Sequence, residues 1–220
     1  MIRRTTWALP GLAIGLLAGC GTAAGSSSAL GDALDVDPSG YVSAAARPTP
    51  ATLCDASPSG TGATPPALAL PFGEPAAAFF QTAPATLEAY AWRASAEAPQ
   101  EAEPAAAPES DAEAARAYVE AAAAAAAACP FQLATDLHTD GDGIPDGTGT
   151  DAQSVAPWSG SGWEGVRIHR VVTGEQQVDR RLVRSGDVVL LVILRADRDD
   201  AEILDAVDDY LAAVADDLED

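Results

Sequence analysis

The chain has 220 residues, of which 33 are acidic and 12 are basic, so its formal net charge at pH 7 is −21. This charge argues against nucleic acid and against anionic lipid headgroups as partners, because both carry dense negative charge. The length is sufficient for one domain with a hydrophobic core.

The N-terminus has the layout of an export signal. Arg3 and Arg4 precede an uncharged apolar stretch at residues 7–18, which is shorter than the roughly 20 residues that a membrane-spanning helix needs. The sequence LAGC then ends at Cys20 and resembles the lipobox of bacterial lipoproteins. We therefore expect residues 1–19 to be a lipoprotein signal peptide and Cys20 to carry acyl chains such as palmitate. The alternative is a plain signal peptide with a chance cysteine.

A lipid anchor at Cys20 predicts a protein held on the extracytoplasmic face of the cell membrane. The other cysteines, Cys54 and Cys129, agree with export, since an even number of cysteines in an oxidising compartment favours a disulfide. A bridge between them would close a loop of about 75 residues and would contribute roughly 4–5 kcal/mol. Two free buried thiols are the alternative.

Composition divides the mature chain into a tether and a domain. Residues 20–34 are mostly small and polar, which predicts a flexible tether. The ordered domain is expected to cover residues 35–220, and residues 35–50 are expected to form an irregular N-terminal arm.

Two strands and a helix are predicted in the first half of the domain. Residues 76–81 and 86–95 have strand composition, and the second segment alternates apolar and polar residues. Ser110 and Glu113 have the spacing of a capping box, which predicts the start of a helix. The helix continues through an alanine run and stops at Pro130, with Cys129 at its end.

Three strands and a second helix are predicted in the other half. Short turns separate residues 163–172, 176–184 and 187–195, so the strands are expected to form an antiparallel meander with its last strand at the centre of a sheet. From residue 199 onward, apolar residues recur at helical spacing above a solvated acidic face. The predicted fold is α+β, with an antiparallel sheet of about five strands packed against two main helices.

This order of elements resembles a known family. An anchor and a tether are followed by the phrase DPSGY at residues 37–41, by Cys54, by a strand pair and by an alanine-rich helix that ends in Cys129-Pro130. The arrangement is similar to the actinobacterial sensor-domain lipoproteins, which resemble the extracellular sensor domain of PknH-type serine/threonine kinases. The resemblance implies a ligand-binding or signalling domain with a cleft between sheet and helices and without catalytic residues. The kinase sensor has two disulfides, whereas this chain can form one.

An aspartate- and glycine-rich segment in the middle of the chain has part of the pattern of a calcium loop. Asp140, Asp142 and Asp146 fit the third, fifth and ninth ligand positions of an EF-hand loop. His138 and Gly149 stand where such a loop has its first and last acidic ligands. We therefore interpret the segment as a solvated turn in a long connection, and weak calcium binding remains the alternative.

The chemistry-bearing residues predict binding rather than catalysis. No zinc-ligand spacing is present, and the serines that end at Ser161 lack the strand–turn–helix context of a nucleophile elbow, so neither a catalytic residue nor a cofactor is expected.

The meander carries many arginines, and two interpretations of them remain open. The first interpretation is that the arginines form cross-strand ion pairs, with Arg170 opposite Asp179 and Arg184 opposite Asp187. The second is a site for an anionic ligand, formed by a group of arginines with Trp163. The arginines concerned are Arg167, Arg170 and Arg180.

The expected function is that of a cell-surface lipoprotein whose non-catalytic, sensor-like domain binds a ligand or protein of the cell envelope. A structural or transport-accessory lipoprotein without a small ligand is the alternative, and a calcium-dependent surface protein is a third.

Overall fold

The computed structural model describes residues 24–36, 38, 40–45, 47–58, 60, 64–68, 72–97, 108–137, 147–198 and 201–219. These residues form one eight-stranded antiparallel sheet and three helices, so the predicted α+β class is confirmed, although the number of strands and helices is larger than predicted. The elements are α1 (Ala24–Leu34), β1 (Val42–Ser43), β2 (Ala76–Thr82), β3 (Ala85–Arg93), α2 (Asp111–Ala126), β4 (Phe131–Leu137), β5 (Gly147–Gly160), β6 (Trp163–Val172), β7 (Gln176–Ser185), β8 (Val188–Ala196) and α3 (Ala201–Glu219). The strand order is β1-β2-β3-β8-β7-β6-β5-β4.

Strand β8 lies at the centre of the sheet, between β3 and β7. Every residue from 188 to 194 in this strand is apolar and buried. A strand that is apolar on both faces has to be covered on both faces, because either face would otherwise expose hydrocarbon to water. The predicted central position of this strand is confirmed.

Helices cover both faces of the sheet. Helices α1 and α3 cover one face, where the α3 residues Val207, Leu211 and Val214 pack with β8 in one apolar cluster. Helix α2 and the chain around Cys54 cover the other face, where Val119 packs in a second cluster. We call these the α3 face and the α2 face.

The N-terminus of α2 is capped by the residues that the sequence indicates. The Ser110 hydroxyl accepts a hydrogen bond from the Glu113 amide at 3.3 Å. The Glu113 carboxylate accepts from the amide of Glu109 at 2.7 Å, one residue before the position that the capping-box pattern predicts. The helix therefore starts where it was expected.

The predicted tether of residues 20–34 is wrong for residues 24–34, which form α1. Leu30 and Leu34 are buried against the α3 face, and the Leu34 carbonyl accepts a hydrogen bond from the Tyr210 hydroxyl at 2.9 Å. Small and polar residues gave this helix a weak amphipathic signal, and its order comes from packing against the sheet.

Strands β4 and β5 occupy the region that was predicted to be a long connection between two halves of the domain. They are antiparallel neighbours, with Leu137 paired with Gly147 at one end and Phe131 paired with Gln153 at the other. Strand β5 was not predicted because its glycines, its serines and Pro157 interrupt the alternation of apolar and polar residues that indicates a strand.

The predicted ion pairs of the meander are wrong because both turns differ from the expected ones. The β6–β7 turn has three residues, so Asp179 lies opposite His169 and Arg170 lies opposite Val178. The β7–β8 turn is Gly186-Asp187, so Arg184 lies opposite Val189. A shift of one residue in register places a side chain on the other face of its sheet.

Candidate functional site

The α2 face is apolar beneath α2 and polar beyond it. Cross-strand partners form rows on this face, because paired residues of antiparallel strands point to the same side. The row that packs with α2 contains Tyr90, Leu191, Leu182 and Val166. The row four residues further along the strands is polar except for Val178. It contains Gln81, Thr86, Arg195, Val178, Arg170 and Gln153.

An open basin of ≈ 720 Å³ lies over part of this polar row. Its floor includes Thr86, Val178 and Arg195 from adjacent strands β3, β7 and β8. Val42 and Arg47, from the N-terminal part of the domain, also line it. The volume lies within the roughly 300–1,000 Å³ that is typical of small-molecule sites.

Glu88 holds two arginines at the basin. Its side chain is 6% exposed, and its Oε1 accepts from Arg47 Nη1 at 3.1 Å and from Arg195 Nε at 3.3 Å. The Tyr90 hydroxyl lies 3.2 Å from Oε2. Burial, and then the charge of Glu88, raise the pKa of Tyr90, so its hydroxyl stays protonated and donates. A single buried carboxylate thus positions both basin arginines.

Asp55 holds a second pair of arginines beside the first. Its carboxylate accepts from Arg180 Nη2 at 2.7 Å and Arg180 Nη1 at 3.1 Å, while Arg170 Nη1 lies 3.4 Å away. Arg170 also makes two hydrogen bonds to Asp151, at 2.9 and 2.8 Å. Burial alone would raise the pKa of Asp55, but Arg180 and Arg170 outweigh it and hold that pKa below its usual value.

The disulfide predicted from the sequence is confirmed, and it fixes the segment that carries Asp55. Cys54 is bonded to Cys129 with a Cα–Cα distance of 6.4 Å and a sequence separation of 75. Gln153 reinforces the joint, because its amide exchanges hydrogen bonds of 3.1 Å with the backbone of Asp55 and donates to the Cys129 carbonyl at 2.9 Å. The segment that carries Cys54 and Asp55 is therefore attached to the chain segment just after α2 and to β5.

A separate ion-pair network lies on the α3 face. Asp179 is fully buried, and its carboxylate accepts from Arg181 Nε at 2.9 Å and from Arg167 Nε. Arg181 also donates to Asp208 of α3, and its guanidinium carbon lies 4.6 Å from the centre of the Trp158 ring. This network joins α3 to β7 across the edge of the core.

The structure does not bring the predicted anion-site residues together. Arg170 and Arg180 share the α2 face, whereas Arg167 lies on the α3 face. Trp163 is 2% exposed and donates its indole N–H to the Leu211 carbonyl at 2.9 Å. Ion pairs account for these arginines, with Asp55 as a partner that was not foreseen.

Ser154, His169 and Asp179 are cross-strand neighbours on the α3 face, an order of residue types that also occurs in hydrolytic triads. However, both oxygens of Asp179 accept from arginines, and the Ser154 hydroxyl lies 3.4 Å from the backbone oxygen of His169. Within the described residues, the His169 Nε2 atom is buried without a hydrogen-bond partner. These contacts do not form the hydrogen-bond chain that activates a serine.

Several predicted features lie outside the described residues, namely Cys20 and the candidate calcium ligands Asp140, Asp142 and Asp146. In the part of the chain that the structure describes, no group of three or more histidine, cysteine, aspartate or glutamate side chains could hold a metal ion. No helix among the described residues is long and apolar enough to cross a membrane.

Sequence reasoning missed Arg47 and Glu88. A signal for Glu88 was present, since it stands between Thr86 and Tyr90 on the same face of a strand that was predicted to be amphipathic. A charged residue on an inward-facing position requires a buried partner. Nothing local identifies that partner, because Arg47 lies 41 residues earlier in the chain.

Comparisons of the chain with family models, with curated proteins and with solved structures gave no match.

Proposed function

We propose that the protein is a lipid-anchored, extracytoplasmic binding domain that takes a ligand of the cell envelope in the basin on its α2 face. The domain acts as a non-catalytic, sensor-like module. The observation that carries the proposal is the open basin over the Gln81, Thr86 and Arg195 part of the polar row, on a sheet face whose other rows pack as a core.

The polar lining supports binding because it stays open on a sheet face whose other rows pack against covering segments. Thr86, Arg195 and Gln176 line this open basin of ≈ 720 Å³. Such a combination of concave shape and convergent polar groups is typical of ligand sites.

The three cysteines of the chain support the proposed location. Cys20 follows an export signal of the lipoprotein type, and the Cys54–Cys129 bridge is of a kind that persists in oxidising compartments. The arm that contributes Val42 and Arg47 to the basin follows α1, which is the described element nearest to Cys20 in the chain. A ligand in the basin would therefore contact the segment that follows α1 in the chain.

The anchor is tested by processing in the native host. Globomycin, which blocks cleavage of lipoprotein signals, should cause an uncleaved precursor to accumulate. The Cys20→Ser variant should lose acylation and stable membrane association. If this variant is processed and retained at the membrane like the wild type, the lipoprotein assignment is wrong.

Binding is tested by a thermal-shift screen of the purified chain against envelope-derived sugars, acids and peptides, with calcium as a separate arm. A ligand that binds the native state raises the unfolding midpoint by mass action. A shift that Thr86→Val or Gln176→Ala removes would support the basin. A rise with calcium that EDTA reverses would favour the calcium-dependent alternative, and no rise with any compound would favour the structural or transport-accessory one.

A further inference from the structure

We propose that the ligand of the basin is a small oxyanion, a carboxylate or phosphate group held between Arg47 on the arm and Arg195 on β8. This inference rests on the proposed function and specifies its ligand class.

Both arginines retain donors that Glu88 does not use. Arg195 contacts Glu88 Oε1 through Nε, and Arg47 contacts the same oxygen through Nη1. A guanidinium carries five N–H donors, so a single shared oxygen leaves most of them for another acceptor. Arg195 and Arg47 are also the more accessible arginines of the α2 face, with side chains 39% and 49% exposed, compared with 18% for Arg170 and 4% for Arg180.

The ion-paired groups of the α2 face carry a small excess of positive charge. Four arginines (Arg47, Arg170, Arg180 and Arg195) are paired there with three carboxylates (Asp55, Glu88 and Asp151), which leaves one positive charge in excess. Burial lowers the pKa of Arg180, and the charges of Arg195 and Arg170 add to this effect against that of Asp55. This excess of one charge stands in a chain whose net charge is −21, and the exposed Asp197 at the basin lining offsets it. An anion would therefore be held by directed guanidinium donors rather than by the net charge of the face.

The same charges limit the size of the ligand. Asp197 is exposed and lines the basin, so a polyanion that extends past the two arginines would meet a like charge. The remaining lining offers neutral hydrogen-bonding groups from Gln81, Thr86 and Gln176. A compact ligand with one acidic group and a hydroxylated remainder, such as an acidic sugar or a hydroxy acid, fits these constraints.

Glu88 acts as an internal competitor for the two arginines. Its carboxylate occupies the position at which the Arg47 and Arg195 side chains converge. Replacing Glu88 with glutamine removes that negative charge while it keeps the size of the side chain. The ligand affinity should then rise, whereas a purely structural role of Glu88 would change the stability alone.

The test measures binding of sodium glucuronate, acetate and inorganic phosphate to the full-length chain in non-ionic micelles by titration calorimetry, at constant ionic strength with chloride as the reference anion. Glucose is the neutral probe. The variants are R47Q, R195Q and E88Q, and R93Q is the matched control, because Arg93 is also 39% exposed and also makes one ion pair, with Asp187. Circular dichroism and the melting temperature of each variant confirm that it is folded.

We expect an oxyanion to bind, with R47Q and R195Q weakening it about tenfold or more, which corresponds to ~1.4 kcal/mol. R93Q should bind like the wild type, and E88Q should bind more tightly. Equal binding by R195Q and the wild type overturns the inference. Binding of glucose with equal strength to glucuronate overturns it too, while the proposed function stands.

A further set of titrations, in micelles that contain phosphatidylglycerol, decides the source of the oxyanion. If phosphate or glucuronate binds in undoped micelles, the ligand is a free solute. If only doped micelles give an effect that R47Q and R195Q remove, the oxyanion is a lipid headgroup. If no anion binds in either medium, the inference is wrong, and the screen with neutral ligands then decides the proposed function.

Discussion

Asp55→Asn should destabilise the domain more than any other single exchange of a carboxylate for an amide on the α2 face. The change preserves the two backbone hydrogen bonds that Asp55 exchanges with Gln153, removes the charge and replaces one acceptor oxygen with an amide donor. Arg180, whose side chain is 4% exposed, then loses the carboxylate that accepts from both of its terminal nitrogens. The loss of unfolding free energy arises because the buried guanidinium of Arg180 no longer has a charged partner.

The expected loss is about 3 kcal/mol. Removing one partner of a buried ion pair costs roughly 3–5 kcal/mol, and the lower end applies because the Asp55 side chain is 26% exposed and water can partly replace it. For a chain of this length, the corresponding fall in melting temperature is about 6–12 °C.

The assay is denaturant unfolding of the oxidised chain, with Asp187→Asn as the control. Asp187 pairs with Arg93, and both side chains are more than a third exposed, so this variant should lose at most about 1 kcal/mol. Adding Arg180→Met to Asp55→Asn should restore most of the stability, because no buried charge then lacks a partner. If Asp55→Asn costs no more than Asp187→Asn, or if the second change restores nothing, the reasoning about the buried cation is refuted.

Three further outcomes follow from the structure. Arg180 and Arg170 hold the pKa of Asp55 below its usual value, so the ionised carboxylate contributes stability that is fully present above about pH 4. This stability is lost as the pH falls through the folded-state pKa. The difference in unfolding free energy between the wild type and Asp55→Asn should therefore disappear when unfolding is measured at increasingly acidic pH. Reduction of Cys54–Cys129, which closes a loop with a separation of 75, should lower the unfolding free energy by about 4 kcal/mol in melts with and without a reductant, and a loss below 1 kcal/mol would contradict the role of the bridge. Gly165→Ala should lower the unfolding free energy by about 3 kcal/mol, because a Cβ there would lie 2.1 Å from the Leu182 carbonyl oxygen. Gly31→Ala in α1 meets open space and should raise it by ~0.5–1 kcal/mol. Equal effects of the two changes would refute the steric argument.

Much of the fold could be predicted because its signals are local. The apolar run of β8, the capped alanine helix α2 and the amphipathic α3 each depend on composition or spacing within a short window. The disulfide was predictable as well, because Cys54 and Cys129 are the only two cysteines left once Cys20 is assigned to the anchor. In α1 and β5 the local signal is weak, and tertiary packing determines their structure.

The candidate site was much less predictable. Arg170 and Arg180 were predicted to share a site on the meander, but their partner Asp55 was not predicted, and neither was the ion pair of Glu88 with Arg195. Spacing along the chain does not indicate which carboxylate a buried arginine meets when that carboxylate is 115 or 125 residues away.

Hydrophobic periodicity and helix capping act over a few residues, so the chain's local patterns were sufficient for the α+β class, the central strand, the helices α2 and α3 and the cysteine pair. The cross-strand register depends on the folded sheet, since a turn of three residues instead of two sets Arg170 opposite Val178 and places Asp179 on the other face. That register aligns Thr86, Val178 and Arg195 in one row beyond α2. The basin exists because strands β1, β2, β3, β8 and β7 are aligned side by side, which is a property of the assembled sheet rather than of any one segment.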